Sequence, residues 1–144
     1  MRLPRCGVTS GLKAQSSRLR AHSSLTMQDF KKLAVWEKAH ALVLVVYGLT
    51  SRFPREETFN LTAQIRRCAT SIPSNIAEGR GRGSDGDMRR FFQIALGSMA
   101  ELEYQLLLAK DLAYLSEEQL AQAGTQLQEV RRMLISFVKT LEKP

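Results

Sequence analysis

The chain has 144 residues, 44% of them hydrophobic, with 21 Lys and Arg, 14 Asp and Glu, two cysteines and one tryptophan. That is one domain's worth of chain with enough apolar side chain to bury a core, and it excludes a wholly disordered protein. The longest apolar run, Ala41–Tyr47, has seven residues, far short of the roughly 18 to 20 that cross a bilayer, so no membrane partner is expected. Cys6 and Cys68 cannot make a disulfide framework, and neither has a second thiol or histidine at metal-ligand spacing, so a reducing, cytoplasmic setting is the expectation.

Charge is unevenly spread. Arg2, Arg5, Lys13, Arg18 and Arg20 lie in the first 26 residues with no acid among them, so they carry +5 of the formal +7 and the rest of the chain carries only +2. Residues 1–26, rich in Ser and Arg and without apolar period, read as a disordered basic extension. Met27 then reads as the natural start, and what precedes it as an upstream extension of the reading frame; the same acid-free composition also fits an organellar transit peptide. Residues 27–144 read as a single domain.

From Met27 onward the apolar residues recur every three to four positions, which predicts four helices and no strand. The first runs from Asp29 or Phe30 to about Ser51, with Asp29 as N-cap and Leu33, Trp36, Ala39, Val43, Val46 and Tyr47 on one stripe. Pro54 ends it. The second runs from about Asn60 to Glu78 along a seam of Leu61, Ile65, Cys68, Ile72 and Ile76. Pro73 sits inside that seam, so a kink or a break is expected, and the continuation through Ile76 favours a kink. Gly79, Gly81, Gly83 and Gly86 are read as ending the helix and forming the turn.

Ser84 or Asp85 caps the third helix, which carries a wide apolar stripe from Met88 to about Leu112. Ser116-Glu117-Glu118-Gln119 is a capping box that opens the fourth, interrupted at Gly124 by up to ~1 kcal/mol relative to alanine. The fold class is therefore all-α, an antiparallel up-down-up-down four-helix bundle with a proline-kinked second helix. Phe91 beside Phe92 and the run Leu106-Leu107-Leu108 put apolar surface beyond one stripe, which points to a subunit interface.

Catalysis has no foothold in this pattern. A carboxylate-bridged dimetal bundle needs two Glu-x-x-His pairs, and none is present; no metal or cofactor is expected, and the chain is read as not an enzyme. Gly79-Arg80-Gly81-Arg82-Gly83 lacks the Lys-Ser/Thr ending of a phosphate-binding P-loop. Cys68 lies on the apolar seam, where a thiol behaves as a small hydrophobe. Ser71, Ser74, Asn75 and Glu78 form a polar stripe which, with Pro73 and Gly79, is read as structural: it satisfies backbone atoms freed by the proline and bonds to a neighbouring helix near Ser98 or Glu101. The alternative is a ligand site. Arg66, Arg67, Arg80, Arg82, Arg89 and Arg90 are the candidate nucleic-acid contacts, since arginines flanked by glycine adapt well to phosphates. The alternative is a solvated face with local ion pairs from Asp87 to Arg89 or Arg90. No aromatic residue interleaves with the arginines of the glycine loop, so base stacking is not expected.

Several segments resemble the bacterial four-helix-bundle family of proteins encoded in intervening sequences of the large-subunit ribosomal RNA gene. They are Phe30-Lys31-Lys32-Leu33-Ala34-Val35-Trp36-Glu37, Phe53-Pro54-Arg55-Glu56-Glu57 with Leu61-Thr62-Ala63-Gln64-Ile65-Arg66-Arg67, Ser71-Ile72-Pro73-Ser74-Asn75-Ile76-Ala77-Glu78-Gly79-Arg80, and Arg90-Phe91-Phe92-Gln93-Ile94-Ala95. The resemblance implies an antiparallel bundle, assembly into a homopentamer and no known catalytic activity. A similar bundle occurs in the accessory variability determinant of diversity-generating retroelements, a basic pentamer that binds nucleic acid, which makes RNA or DNA an expected partner here. Another protein, docked on the wide stripe of the third helix, is the competing expectation.

Overall fold

The computed structural model describes residues 30–142; the basic extension, Cys6, His22 and the cap expected at Asp29 lie outside them. Four helices are present, α1 (Ala34–Thr50), α2 (Leu61–Arg80), α3 (Asp85–Asp111) and α4 (Glu117–Leu141), and no strand occurs among the described residues. α2 packs against α1 and α3, and α4 against α3 and α1. Short connections make this an antiparallel up-down-up-down bundle. Leu42, Val46, Ile65, Ile72, Ile76, Phe92, Met99, Leu102, Leu127 and Leu134, drawn from all four helices, fill its axis without exposure.

The chain enters the bundle differently from the pattern's expectation. α1 begins at Ala34, not at Phe30, because Phe30–Lys32 form a 3-10 turn closed by the Leu33 N–H donating to the Phe30 carbonyl (3.0 Å), after which Leu33 is extended. That turn folds the Phe30 ring edge-on against Trp36 at 5.1 Å. On a continuous helix residues six apart point to different faces and could not meet. Tyr47 is exposed, since it lies about 100° round the helix from Val46, which is fully buried.

Local chemistry sets the other ends. The Ser84 hydroxyl accepts from the Asp87 N–H (3.2 Å), making Ser84 the cap of α3. Ser116 and Gln119 form the reciprocal capping box at α4, at 3.1 and 3.0 Å. At α2 the Asn60 side chain does not cap; the Glu57 carboxylate accepts from the Leu61 N–H (3.1 Å) instead. α3 ends on Ala113 in the left-handed region (φ 65°), with the Tyr114 N–H donating to the Ala109 carbonyl and the Ala113 N–H to that of Lys110. This is a Schellman motif built on alanine where glycine is usual.

α2 runs unbroken through Pro73 to Arg80, so no break occurs there. Pro73 is buried, and the fully buried Ile72 and Ile76 on either side hold both halves of the helix to one core. Gly79 does not terminate the helix as its sequence context suggests. It is a buried member of α2, placed where a Cβ would lie 3.0 Å from Phe91 Cβ, 3.1 Å from Phe92 Cε1 and 3.2 Å from the Met88 carbonyl oxygen. The glycine serves a close approach of two helices, and the turn starts only at Gly81.

Candidate nucleic-acid interface

The six candidate arginines divide into two groups. Arg66 lies on the second turn of α2 and Arg80 fourteen residues later, about 20 Å further along the axis at ~1.5 Å per residue. Arg66 is committed to α1. Its Nε donates to Thr50 Oγ1 (2.8 Å), and its guanidinium lies 4.6 Å from the centre of the Tyr47 ring. Thr50 in turn donates to the Val46 carbonyl (2.8 Å), so the arginine joins the end of α1 to the start of α2. Arg67 is exposed beside it.

Arg80, Arg82, Arg89 and Arg90 gather at the opposite end of the bundle, around the turn from α2 to α3. Arg82 forms an ion pair with Glu78 (2.7 Å). Its guanidinium carbon also lies 4.7 Å from the centre of the Phe91 ring, over which Arg90 lies at 5.1 Å. An aromatic ring thus does interleave with these arginines, supplied by α3 rather than by the loop; only the folded turn brings it there. Among the described residues Asp87 makes no ion pair with Arg89 or Arg90. Asp85 and Asp87 instead occupy the first turn of α3, where carboxylates favour the positive end of the helix dipole, while Arg90 turns to the ring.

The polar stripe also divides. Ser71 Oγ meets Ser98 Oγ of α3 at 2.8 Å, and Asn75 Nδ2 donates to the Ser71 carbonyl (2.8 Å) and to Ser71 Oγ (3.0 Å). Ser71 and Asn75 are therefore half-buried members of the α2–α3 seam, while Ser74 is exposed and Glu78 serves Arg82. One turn above, the Cys68 thiol donates to Glu101 (3.1 Å). Burial, then this hydrogen bond and the charge of Glu101, push the Cys68 pKa up to about 12, which leaves it a poor nucleophile. His40, exposed on α1, stacks on Trp36 at 5.1 Å and 8°. No group of three or more His, Cys, Asp or Glu among the described residues could hold a metal ion, and none of the described helices is long and apolar enough to cross a membrane.

These features define a helical bundle with a basic turn at one end. The 23S rRNA-intervening sequence protein family matches residues 31–136, from the entry turn through most of α4, and the chain belongs to that family. A crystal structure of a protein with unknown function from the S23 ribosomal protein family of Bacteroides thetaiotaomicron is 30% identical, with a TM-score of 0.68 over 73% of this chain and 95% of that one. No curated protein matches.

Proposed function

We propose that this chain is a non-enzymatic, cytoplasmic nucleic-acid-binding protein that works as an oligomer of identical bundles, the homopentamer that the resemblance implies. One observation carries the reading: Arg80, Arg82, Arg89 and Arg90 all lie at one end of the bundle, on the last turn of α2, the connection and the first two turns of α3, with Arg82 and Arg90 meeting on Phe91, and a ring of such ends in a symmetric assembly multiplies their field. RNA is the favoured polymer, because the family takes its description from 23S rRNA. Arg66 and Arg67 stand apart from that surface, and Arg66 is engaged in holding α1 to α2.

The test is a salt titration of RNA and DNA binding by the full chain, with its mass read by light scattering in the same samples. Replacing Arg80, Arg82, Arg89 and Arg90 by alanine lowers the slope of log affinity against log salt by about 1 per arginine in contact. An unchanged slope rules the turn out. The second reading, a protein-interaction adaptor, is favoured by the outward side of α3, where Tyr104 and Leu107 are 63% and 45% exposed. Recovery of a protein partner after nuclease treatment, with no nucleic acid bound at low salt, would support it.

A further inference from the structure

The geometry of the basic turn points to the form of nucleic acid it takes: we infer that Phe91 holds Arg82 and Arg90 as a clamp for the phosphodiester backbone of a duplex, which it grips without reading bases. This rests on the nucleic-acid reading above and goes beyond it.

Proteins that bind single strands offer open aromatic faces on which successive bases stack. The Phe91 ring is the aromatic group set among the arginines, and it is engaged: the guanidinium carbons of Arg82 and Arg90 lie 4.7 and 5.1 Å from its centre. Nor is Trp36 a clear platform, since His40 stacks on it and Phe30 meets it edge-on. What remains for a ligand is the guanidinium N–H fork of Arg90 and the N–H groups of Arg82 that are not given to Glu78, which suit phosphate oxygens.

Phe91 stands on α3 directly against Gly79 of α2. A Cβ on Gly79 would lie 3.0 Å from Phe91 Cβ, so the close approach of α2 and α3 fixes where the Phe91 side chain leaves its helix, while the ring itself is half-buried. Arg82 has a second tether to Glu78. Two guanidiniums resting on one ring have less freedom to lose on binding than two free arginine side chains, and such a paired arrangement suits a regular duplex backbone better than a flexible strand. Phe91 is thus a positioning residue acting through Arg82 and Arg90.

The experiment measures binding of the full chain to a 20-base-pair RNA duplex, a DNA duplex of the same sequence and the corresponding single strands, each in a second unrelated sequence. The wild type is expected to bind duplex about tenfold tighter than single strand, with sequence changing affinity less than about twofold; the RNA and DNA arms show which backbone is preferred. Phe91→Leu is expected to weaken duplex binding about tenfold with helical content retained, and Phe91→Tyr to restore it. Should Phe91→Leu fail to fold, the pair Arg82→Lys with Arg90→Lys keeps the charge but loses the planar stack, and is expected to weaken duplex binding severalfold. Tighter binding to single strands, or unchanged duplex binding in Phe91→Leu or in the lysine pair, overturns the clamp while leaving nucleic-acid binding intact. No binding to any arm overturns both.

Discussion

At the scale of single residues, Cys68 and Ala113 make opposite kinds of demand on the fold. The Cys68 thiol is held protonated by burial and by Glu101. Iodoacetamide at pH 8 is therefore expected to modify Cys68 at least ~100-fold more slowly in the folded chain than in urea, measured in a Cys6→Ala background. Because its folded pKa, about 12, is above the ordinary value of 9.0, the stability it lends is complete below pH 9 and is lost as pH rises toward 12. The difference in urea midpoint between this protein and Cys68→Ala should be flat from pH 7 to 9 and shrink above it. Ala113, at φ 65°, pays for a conformation that glycine adopts freely. Ala113→Gly should raise stability by about 0.5–1 kcal/mol after the extra freedom of the unfolded chain is counted, seen as a Tm a few degrees higher.

At the scale of elements, two glycines inside helices respond oppositely to the same change. Gly124→Ala meets nothing within 4 Å and is expected to stabilise α4 by up to about 1 kcal/mol through helix propensity. Gly79→Ala gains the same propensity, but its methyl would press on Phe91 Cβ and the Met88 backbone. Overpacking of about 1–3 kcal/mol outweighs that gain, so its Tm should fall; a rise would show that α2 and α3 can separate cheaply. The contrast marks what the amino-acid sequence makes legible. Ser84, Ser116 and Gln119 are readable as caps because they act within four residues of themselves. The seam through Ile65, Ile72 and Ile76 is readable because burial repeats with the helix. Gly79 is not, since glycine before an arginine-glycine run looks like a stop and its true constraint comes from α3. The arginines are half readable: their clustering in sequence hides the ~20 Å of helix between Arg66 and Arg80, and nothing local announces that Arg82 will join Arg90 on the Phe91 ring.

For the whole molecule, the balance of surfaces decides how it is used. Leu107 and Tyr104 share the outward side of α3, and Ile94 lies on the same helix, while the buried positions Met99, Leu102 and Leu106 face the core. Monomers rarely present several large apolar groups along one helix. If identical chains assemble on this side, Leu107→Glu should reduce the mass measured by light scattering to that of the single 16.2 kDa chain while circular dichroism stays helical. An unchanged mass would place any assembly elsewhere. The same variant probes the proposed ring of arginine turns, because nucleic-acid affinity should drop with the loss of multivalency even though no arginine is altered.

An even number of antiparallel helices has a practical corollary. The entry turn at Phe30–Lys32 packs on α2, and Phe137, near the end of α4, meets Phe92 near the start of α3 at 5.1 Å. Both ends of the described chain therefore emerge beside the arginine turn. A polyhistidine or fluorescent group joined directly to Phe30 or Glu142 would crowd the surface being assayed. Phe59, 96% exposed in the connection between α1 and α2, lies at the far end of the bundle, and a cysteine placed there would carry a dye or a surface tether with the basic turn left facing solution.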